Sequence, residues 1–449
     1  MNQNKRKKAI IMGAAGRDFH DFNMHFRDNK EFEVKAFTQN AEQNLGVLSD
    51  KPERYYPKEL AGKLYKKGIP IYSEEMLPEL IKKFDADEVF FSYSDNSHEH
   101  VMHKASIALA AGANFTLLGA KAIMIKSRKP VIAVCAVRTG CGKSQTSRRI
   151  CEILKKLGKK TVAIREPMPY GDLRKQISIR FASYKDLEKN NCTIEEREEY
   201  EPYIEEGFVI YAGVDYAKIL SEAEKESEVI VWDGGNNELS FYKPDLLIVV
   251  TDPFRIGHET LYHPGETNLL MADVVLINKV NSAPASSVKR LEENISRANP
   301  KSKILKASSV ISLNEKIELN GKKVLCVEDG PTVTHGGMGF GAAYVYAKNH
   351  NAVIVDPRPY VVGSINSVFK EFTQLKKVLP AMGYSKEQLK ELEKTINDVP
   401  CDLVLAGTPI DLARIVRANK KIVRVKYALG KEVDPELKKL IQETLKKKK

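Results

Sequence analysis

The sequence contains little cysteine and no long apolar segment, and both features narrow the classes of protein to which it can belong. Six cysteines occur among 449 residues, and none shows the C-x-x-C spacing typical of zinc sites or disulfide frameworks. No stretch approaches the roughly 18 to 20 apolar residues of a membrane span. The N-terminal residues lack the apolar core of a secretion signal. We therefore expect a cytoplasmic protein with reduced thiols and no membrane association.

Acidic residues are not in excess either, since Lys and Arg exceed Asp and Glu by 71 − 59 = 12. The densest basic clusters are residues 5–8 and 446–449, and no aromatic-interleaved basic stripe accompanies them. We expect a solvated, lysine-rich surface and small anionic ligands, and no nucleic acid. A chain of this length is too long for one hydrophobic core, so two or three domains are expected.

The most informative segment is an apolar run from Val131 that breaks into a glycine-rich turn and then a helical pattern. The glycines let backbone N–H groups close around phosphate oxygens, and the helix start offers its positive end. Lys143 can reach the β and γ phosphates, and Ser144 can ligate Mg²⁺. The turn therefore predicts a phosphate-binding loop. We assign to nucleotide binding Arg138, Thr139, Gly140, Cys141, Gly142, Lys143, Ser144 and Gln145.

The strict pattern of such loops places its first glycine at position 137, where this chain has Val137. The stretch from Ala136 to Ser144 resembles instead the longer loop of dethiobiotin synthetase and its relatives, which are mostly ligases and kinases.

Residues 1–127 alternate apolar strand runs with helical patterns, which is typical of a parallel sheet. The first strand ends in a turn with Gly13 and Gly16 but no third glycine, so the sequence predicts a Rossmann-like domain and leaves its ligand open. Candidate ligand contacts at strand ends are Asp18, His20 and residues 95–103. Within that segment, three histidines at positions 98, 100 and 103 could bind a metal, bind an anion or begin a helix.

Residues 128–319 place polar side chains after further strands. The strand Thr161 to Ile164 runs into Arg165 and a proline- and glycine-rich loop that includes Tyr170; we assign both residues to substrate binding. The strand from Val229 ends in Asp233 and two glycines, which is typical of the acidic half of a Mg²⁺ site. Ser144 and Asp233 are therefore the predicted metal ligands. Arg255, after the next strand, is also assigned to the substrate.

The segment Asn278-Lys279-Val280-Asn281 resembles the N-K-x-D motif that reads guanine. A carboxylate accepts both guanine N–H groups, whereas the Asn281 amide presents one donor and one acceptor. Because a mismatched buried hydrogen bond lowers affinity, ATP is at least as good an expectation as GTP. Asn278 and Lys279 are assigned to nucleotide binding.

Residues 320–449 again alternate strands and helices, and the first strand ends in a polar turn from Glu328 to Gly339. Its acids could hold metal or act as a base, and His335 could donate to phosphate or carboxylate. Arg358 is either a phosphate clamp or an exposed residue of a proline turn. The assigned catalytic residues are Lys143, Asp233, Glu328, Asp329 and His335. The remaining substrate-binding assignments are Thr334, Gly336, Gly337 and Arg358.

These motifs together resemble the P-loop predicted GTPase family related to cyclic 2,3-diphosphoglycerate synthetase. The resemblance spans nearly the whole chain, through the T-G-x-G-K-S loop, residues 165–173 (R-E-P-M-P-Y-G-D-L) and residues 327–337 (V-E-D-G-P-T-V-T-H-G-G). That synthetase uses ATP and Mg²⁺ to activate a phosphate and close an intramolecular phosphoanhydride. The resemblance implies that Lys143, Ser144 and Asp233 handle the nucleotide and metal, and that residues 328–337 lie near the acceptor.

The expected fold is α/β: a Rossmann-like domain over residues 1–127, a P-loop NTPase domain of the dethiobiotin-synthetase type with a parallel sheet over 128–319, and a C-terminal α/β region over 320–449 that can be continuous with it. The expected function is Mg²⁺-dependent phosphoryl transfer from ATP or GTP to a small anionic phosphorylated acceptor. The alternative is a nucleotide-hydrolysing switch that regulates a protein partner. We also expect a homodimer.

Overall fold

The structure is a computed structural model that describes residues 6–40, 54–166, 171–235, 237–334, 336–382 and 385–448. Within these residues the strands form three main sheets. No helix among them has both the length and the apolar character needed to cross a bilayer.

The first sheet is built from the N-terminal quarter of the chain. The strands of this region are β1 (Lys7–Met12), β2 (Phe32–Gln39), β3 (Arg54–Tyr56), β4 (Ile69–Ser73), β5 (Glu88–Phe91), β6 (Asn96–Ser97) and β7 (Asn114–Leu117), and its helices are α1 (Arg17–Asp21), α2 (Lys58–Ala61), α3 (Leu77–Phe84), α4 (His98–Ala110) and α5 (Ala120–Ile123). The sheet order is β3-β4-β2-β1-β5-β7, with β3 antiparallel. Since the chain winds away from β1 in both directions, the loops after β1 and β5 separate and leave a crevice at this edge.

The second sheet carries the phosphate-binding loop. The strands of this region are β8 (Val131–Ala136), β9 (Thr161–Arg165), β10 (Ile179–Phe181), β11 (Val209–Ala212), β12 (Val229–Asp233), β13 (Leu246–Thr251), β14 (Tyr262–His263), β15 (Val274–Ile277) and β16 (Lys303–Lys306), and its helices are α6 (Lys143–Lys156), α7 (Tyr184–Lys189), α8 (Ile194–Glu205), α9 (Tyr216–Glu226), α10 (Gly265–Met271) and α11 (Ala285–Ala298). The order is β10-β11-β9-β12-β8-β13-β15-β16, parallel except for β10. β8 and β13 are buried throughout, because helices cover both faces of a parallel sheet.

The third sheet uses the C-terminal part of the chain. Its strands are β17 (Ser309–Leu313), β18 (Lys323–Asp329), β19 (Val353–Ile354), β20 (Leu379–Ala381), β21 (Leu403–Gly407) and β22 (Lys421–Leu429), and the helices are α12 (Gly330–Val333), α13 (Ala342–Asn349), α14 (Ile365–Glu371), α15 (Lys386–Asp398) and α16 (Asp434–Lys447). The order is β17-β22-β21-β18-β19, and β20 also pairs with β18. Single helical turns occur at Phe22–Phe26, Glu74–Met76, His258–Thr260, Arg358–Tyr360, Leu412–Arg414 and Lys431–Val433.

The second and third sheets interlock. β17 lies before residue 320 in sequence but pairs with β22 of the third sheet. Conversely, α16 buries Leu437 and Ile441 in the core of the second sheet, and Asp434 at its start pairs with Arg149 of α6 at 2.6 Å. The two C-terminal ranges therefore share elements, and the division into three domains stays a prediction.

Candidate active site

The phosphate-binding loop connects β8 to α6 and takes its shape from two glycines. Gly140 and Gly142 have φ of 78° and 108°, the left-handed region that glycine adopts without strain. A Cβ on Gly142 would lie 2.1 Å from Nδ2 of Asn278, so a larger residue does not fit. That same amide nitrogen donates to the backbone oxygen of Cys141 at 2.9 Å. Asn278 thus supports the loop from behind.

Lys279 supports the loop next to Asn278. Its Nζ donates to the backbone oxygen of Gly140 at 2.8 Å and to Oδ2 of Asp252 at 2.7 Å. Asp252 is buried; burial raises its pKa, but Lys279 and Arg255 outweigh that effect and hold the pKa below its usual value. Asp252 is therefore a fixed negative charge that orients the two cations.

Arg255 ties the loop to the C-terminal region. Its Nη1 donates to the backbone oxygens of Thr139 at 2.7 Å and of Gly336 at 2.6 Å. Its Nη2 lies 3.2 Å from Oδ2 of Asp252 and 3.3 Å from the sulfur of Cys141. The guanidinium is committed to these four contacts, so the geometry supports a positioning role, and direct substrate binding by Arg255 stays a prediction.

The predicted metal ligands Ser144 and Asp233 lie on either side of one guanidinium. Nη1 of Arg165 is 3.3 Å from Oγ of Ser144 and 3.0 Å from Oδ1 of Asp233, and Nη2 pairs with Glu199. The other Asp233 oxygen accepts a hydrogen bond from Tyr203 at 2.8 Å. A hydroxyl and a carboxylate are the hard oxygen ligands that Mg²⁺ prefers, so the pair fits the ion provided that Arg165 yields its position.

Residues 328–334 approach the loop from the third sheet. A Cβ on Gly140 would lie 3.1 Å from Cγ2 of Thr332, and the hydroxyl of Thr332 donates to Asp329. Glu328 is fully buried and accepts hydrogen bonds from the backbone N–H groups of Tyr344 and Ala343 at 2.7 and 3.3 Å. Burial outweighs these bonds and raises the pKa of Glu328 to about 7, where a carboxyl can exchange a proton near neutral pH.

Two further carboxylates face the opposite side of the loop. Glu166 follows β9, and Glu238 follows the turn after β12. Both are more than nine-tenths buried, and a Cβ on Gly235 would lie within 2.4 and 2.8 Å of their respective Oε2 atoms. Burial and the neighbouring charge of Glu238 raise the pKa of Glu166 well above its usual value. The remaining oxygen of Glu238 accepts a hydrogen bond from Ser94 at 2.5 Å.

One cavity of about 770 Å³ joins these groups, a volume within the range of small-molecule sites. Residues of all three sheets line it, including Arg17 and Asp18 after β1 and residues 92–96 after β5. The predicted site residues that line it are Arg138, Thr139, Gly140, Gly142, Lys143, Ser144, Gln145, Arg165, Lys279, Glu328, Asp329, Thr334 and Gly337. The predicted residues that lie behind its wall are Cys141, Asp233, Arg255, Asn278 and Gly336.

Arg138 connects the loop to the first sheet. Its Nε donates to Oδ1 of Asp95 at 2.6 Å, its Nη1 lies 2.7 Å from Nδ1 of His258, and its guanidinium stacks over Tyr262 at 3.6 Å. The candidate contact His20, by contrast, is buried against Phe241, and burial lowers its pKa to about 3. His20 therefore belongs to the core.

Several predicted residues are not placed with the cavity. Tyr170 and His335 lie outside the described residues. Arg358 lies at the surface, paired with Asp356. In the guanine-reading motif, the residue at the position of Asn281 contacts the nucleotide base. Here Asn281 exchanges hydrogen bonds with the backbone of Ser309. The cysteines are free thiols.

The three histidines at the start of α4 lie with separate partners. His98 and His103 are each 3.6 Å from a glutamate, and His100 lies 3.3 Å from the hydroxyl of Tyr93. Among the described residues no group of three or more His, Cys, Asp or Glu side chains could hold a metal ion.

Sequence reasoning did not single out Arg17, Glu166 or Glu238. Each of these residues lies within a few residues of a strand end, in a segment that contains glycine. This position is the sequence feature that could have indicated a role in ligand binding. The missing information was the strand order, which brings β9 beside β12 and the first sheet against the second.

A phosphate-binding loop at the end of a buried parallel strand, beside a Ser–Asp pair and a large cavity lined by several charged side chains, defines a nucleotide-using P-loop enzyme. The chain is 57% identical over 444 residues to arginine synthetase ArcE of Thermococcus kodakarensis, an alignment that covers 99% of this chain and 98% of that protein. The chain belongs to the family of this arginine synthetase and is an enzyme, an ATP-dependent ligase. No protein-family model matches the chain.

Solved structures resemble the chain only distantly. The ATP complex of LpxK from Aquifex aeolicus is 14% identical with a TM-score of 0.40, covering 72% of this chain and 90% of that one. A ligase of Neisseria meningitides that joins UDP-N-acetylmuramate to L-alanyl-γ-D-glutamyl-meso-diaminopimelate is 11% identical with a TM-score of 0.28, covering 68% and 80%.

Proposed function

We propose that this protein forms arginine at the expense of ATP, by transferring the γ-phosphoryl group to a ureido oxygen and replacing the resulting phosphate with ammonia. The observation that carries the proposal is the full-length similarity to an arginine synthetase, in a chain whose cavity joins a phosphate-binding loop to buried carboxylates.

The chemistry follows from the product. A ureido group differs from a guanidinium only by oxygen in place of nitrogen, and its oxygen is a poor leaving group. Phosphorylation breaks the bond between the γ-phosphorus and the β,γ-bridging oxygen of ATP and forms a phosphorylated isourea and ADP. Ammonia then attacks the central carbon, phosphate leaves with the oxygen, and the proton shed by the incoming ammonium goes to the site or solvent. The sum is ureido compound, ammonium and ATP to arginine, ADP, phosphate and one proton.

The residues of the loop side suit the first step. Lys143 lines the cavity together with Thr139, Gly140, Gly142 and Ser144. Its ammonium group and the backbone N–H groups of the loop would stabilise charge on the transferred phosphoryl group. Ser144 and Asp233 would hold Mg²⁺, which supplies charge neutralisation at the β- and γ-phosphates when bound. Glu328, with a pKa of about 7, is suited to take up the proton released in the second step.

The charge of the cavity distinguishes this proposal from the acceptor that the motif resemblance implies. A phosphorylated three-carbon acid carries several negative charges and would approach Glu166 and Glu238, whose buried Oε2 atoms accept no hydrogen bond from a described residue. A neutral ureido group that becomes a cation is favoured at the same place. The cyclic 2,3-diphosphoglycerate synthetase-like reaction therefore remains the second candidate.

The experiment compares acceptors in one assay. The protein is incubated with Mg²⁺ and ATP or GTP, together with citrulline and ammonium, with 2,3-diphosphoglycerate, or with no acceptor, and ADP or GDP and arginine are quantified. We expect ATP consumption that requires both citrulline and ammonium and yields arginine. Stimulation by 2,3-diphosphoglycerate alone would favour the second candidate, and stimulation only by a protein partner would favour the regulatory switch. Light scattering of the same sample tests the expected homodimer.

A further inference from the structure

We propose that Glu166, Glu238 and Arg17 form the binding site of the amino-acid substrate: the guanidinium, or the ureido group from which it is made, lies between the two carboxylates, and the α-carboxylate lies on Arg17. The inference rests on the proposed function and names the residues that recognise its substrate.

The first observation concerns two unpartnered oxygens. Glu166 and Glu238 are 7% and 6% exposed, and the Oε2 atom of each accepts no hydrogen bond from a described residue. Both oxygens flank the same point beside Gly235, at 2.4 and 2.8 Å from the position that a Cβ there would take. Burial and the facing Glu238 carboxyl group raise the pKa of Glu166 well above its usual value, so the two groups share a proton when no ligand is bound. A donor or cation bound at the pair would take the place of that proton.

The second observation is the shape of the gap. A planar guanidinium presents N–H donors in one plane and can bond to two carboxylates at once. A ureido group presents N–H donors in a similar plane. The two Oε2 atoms occupy the place that a Cβ on Gly235 would take, so both carboxyl groups approach the Gly235 backbone closely, and a flat donor group would contact them from the cavity that they line.

The third observation is the distance in sequence and space to the phosphate loop. Glu166 directly follows Arg165, whose Nη1 is 3.3 Å from Oγ of Ser144. Glu238 follows β12, which ends at Asp233. A group held between the carboxylates therefore lies beside the predicted position of the γ-phosphate, where the ureido oxygen has to be.

The fourth observation is Arg17 on the same cavity. It is 3% exposed, and its Nε and Nη1 atoms donate to no described acceptor. The carboxylate of Asp21 is 3.7 Å from Nε, too far for a hydrogen bond. The carboxylate of Asp18 accepts instead from the backbone N–H groups of residues 15, 16 and 19.

A cavity with a buried guanidinium that lacks hydrogen-bond acceptors and a pair of buried carboxyl groups that share a proton matches a ligand that carries both signs of charge. A free amino acid with a guanidinium or ureido side chain is such a ligand. A phosphorylated acid would satisfy Arg17 alone, and a divalent cation would satisfy only the two glutamates.

The test is calorimetric binding to the nucleotide-free, full-length protein. The ligands are arginine, agmatine (which lacks the α-carboxylate), citrulline and, separately, Mg²⁺. We expect Glu166→Gln and Glu238→Gln each to weaken arginine and agmatine about 10- to 100-fold, the range for a charged hydrogen bond. Arg17→Gln should weaken arginine by a similar factor and leave agmatine unchanged. The matched control is Glu224→Gln, which changes a buried carboxylate outside this cavity that pairs with Arg128; it should leave both affinities unchanged.

Arginine affinity that is unchanged in all three variants would overturn the inference, as would Mg²⁺ binding that is lost in both glutamate variants while arginine binding persists. If a variant unfolds, the unmodified protein still decides: arginine must bind more tightly than agmatine, and equal affinities would contradict the role of Arg17. Arginine formation in the acceptor assay with unchanged variant affinities would refute this inference alone. Absence of both arginine formation and arginine binding would refute the proposed function.

Discussion

The two sides of the cavity differ in how their polar side chains are used. On the phosphate-loop side, Asn278, Lys279 and Arg255 all donate to backbone oxygens of residues 139–141. On the opposite side, Glu166, Glu238 and Arg17 contain buried polar atoms that no described residue satisfies. Asn278 and Arg255 also contain buried atoms without a partner among the described residues, but these two side chains do not line the cavity. Arg17, Glu166 and Glu238 do line it, and we propose that a ligand completes their contacts.

The difference follows from what each side has to bind. In phosphate-binding loops the phosphate is bound by backbone N–H groups, and on the proposed assignment the side chains behind this loop hold its backbone in place. An amino-acid side chain is recognised by side chains aimed at it, and these must remain free until it arrives. Unsatisfied buried groups cost stability, which is the expected trade-off at a specificity site.

The largest expected effect is a loss of activity on removal of the loop lysine. Lys143→Ala removes the charge that reaches the transferred phosphoryl group, so ADP release should fall by about a hundredfold to a thousandfold, the range for losing one preorganised donor. The fold should be unchanged by circular dichroism. The control is Lys156→Ala, an exposed lysine in the last turn of the same helix. Undiminished turnover in Lys143→Ala would refute the catalytic role of the loop.

The next effect concerns Arg255, which connects the loop to the C-terminal region. Arg255→Lys keeps the charge but cannot contact Thr139, Gly336 and Asp252 together. We expect kcat/KM for ATP to fall about 10-fold, because at least one charge-assisted hydrogen bond is lost. Arg414→Lys, at an exposed ion pair with Asp411, is the matched control. Equal kcat/KM values in the two variants would mean that the clamp is dispensable.

A moderate effect concerns pH. Because the pKa of Glu328 rises to about 7 from a usual 4.5, the folded state holds this proton more tightly than the unfolded state. The stabilisation is fully present below pH 4.5 and is lost as pH rises through 7, an effect of at most about 3 kcal/mol. Glu328→Gln should therefore gain stability relative to the unmodified protein between pH 5 and 8. Denaturant unfolding of the variant and of the unmodified protein at pH 5 and pH 8 measures this difference in free energy of unfolding. If the stabilities of the two proteins changed with pH in parallel, the burial argument would be contradicted.

The smallest effect lies outside the cavity. Arg358 is exposed and pairs with Asp356 two residues away, and such surface pairs contribute little. Arg358→Ala should change the free energy of unfolding by less than about 0.5 kcal/mol. A loss above about 1 kcal/mol in denaturant unfolding would show a contact that this geometry lacks.

The sequence predicted the loop side well because its signal is local. A buried strand, two glycines at positive φ, Lys143 and a helix start all lie within consecutive residues, and the parallel sheets around them follow from the apolar strand runs. The position of Asp233 near Ser144 was also predictable, because an acid after an apolar strand marks a common position in P-loop folds; metal binding by this pair stays a prediction.

The opposite side could not be predicted in the same way. Glu166 and Glu238 meet only because β9 and β12 are neighbours in the sheet, and Arg17 reaches them from a different sheet. The role of α16 shows the same limit: its lysines indicated a solvated helix, yet Leu437 and Ile441 pack into the second sheet. Pairings between distant segments depend on strand order, which periodicity does not encode.

The most direct measurement of the central claim is a crystal structure of the protein with ADP, Mg²⁺ and arginine. The account predicts ADP phosphates within the loop of residues 139–144 and the arginine guanidinium between Glu166 and Glu238, in one continuous cavity. Arginine bound elsewhere, or an ADP complex in which the two carboxylates close on each other and exclude arginine, would contradict it.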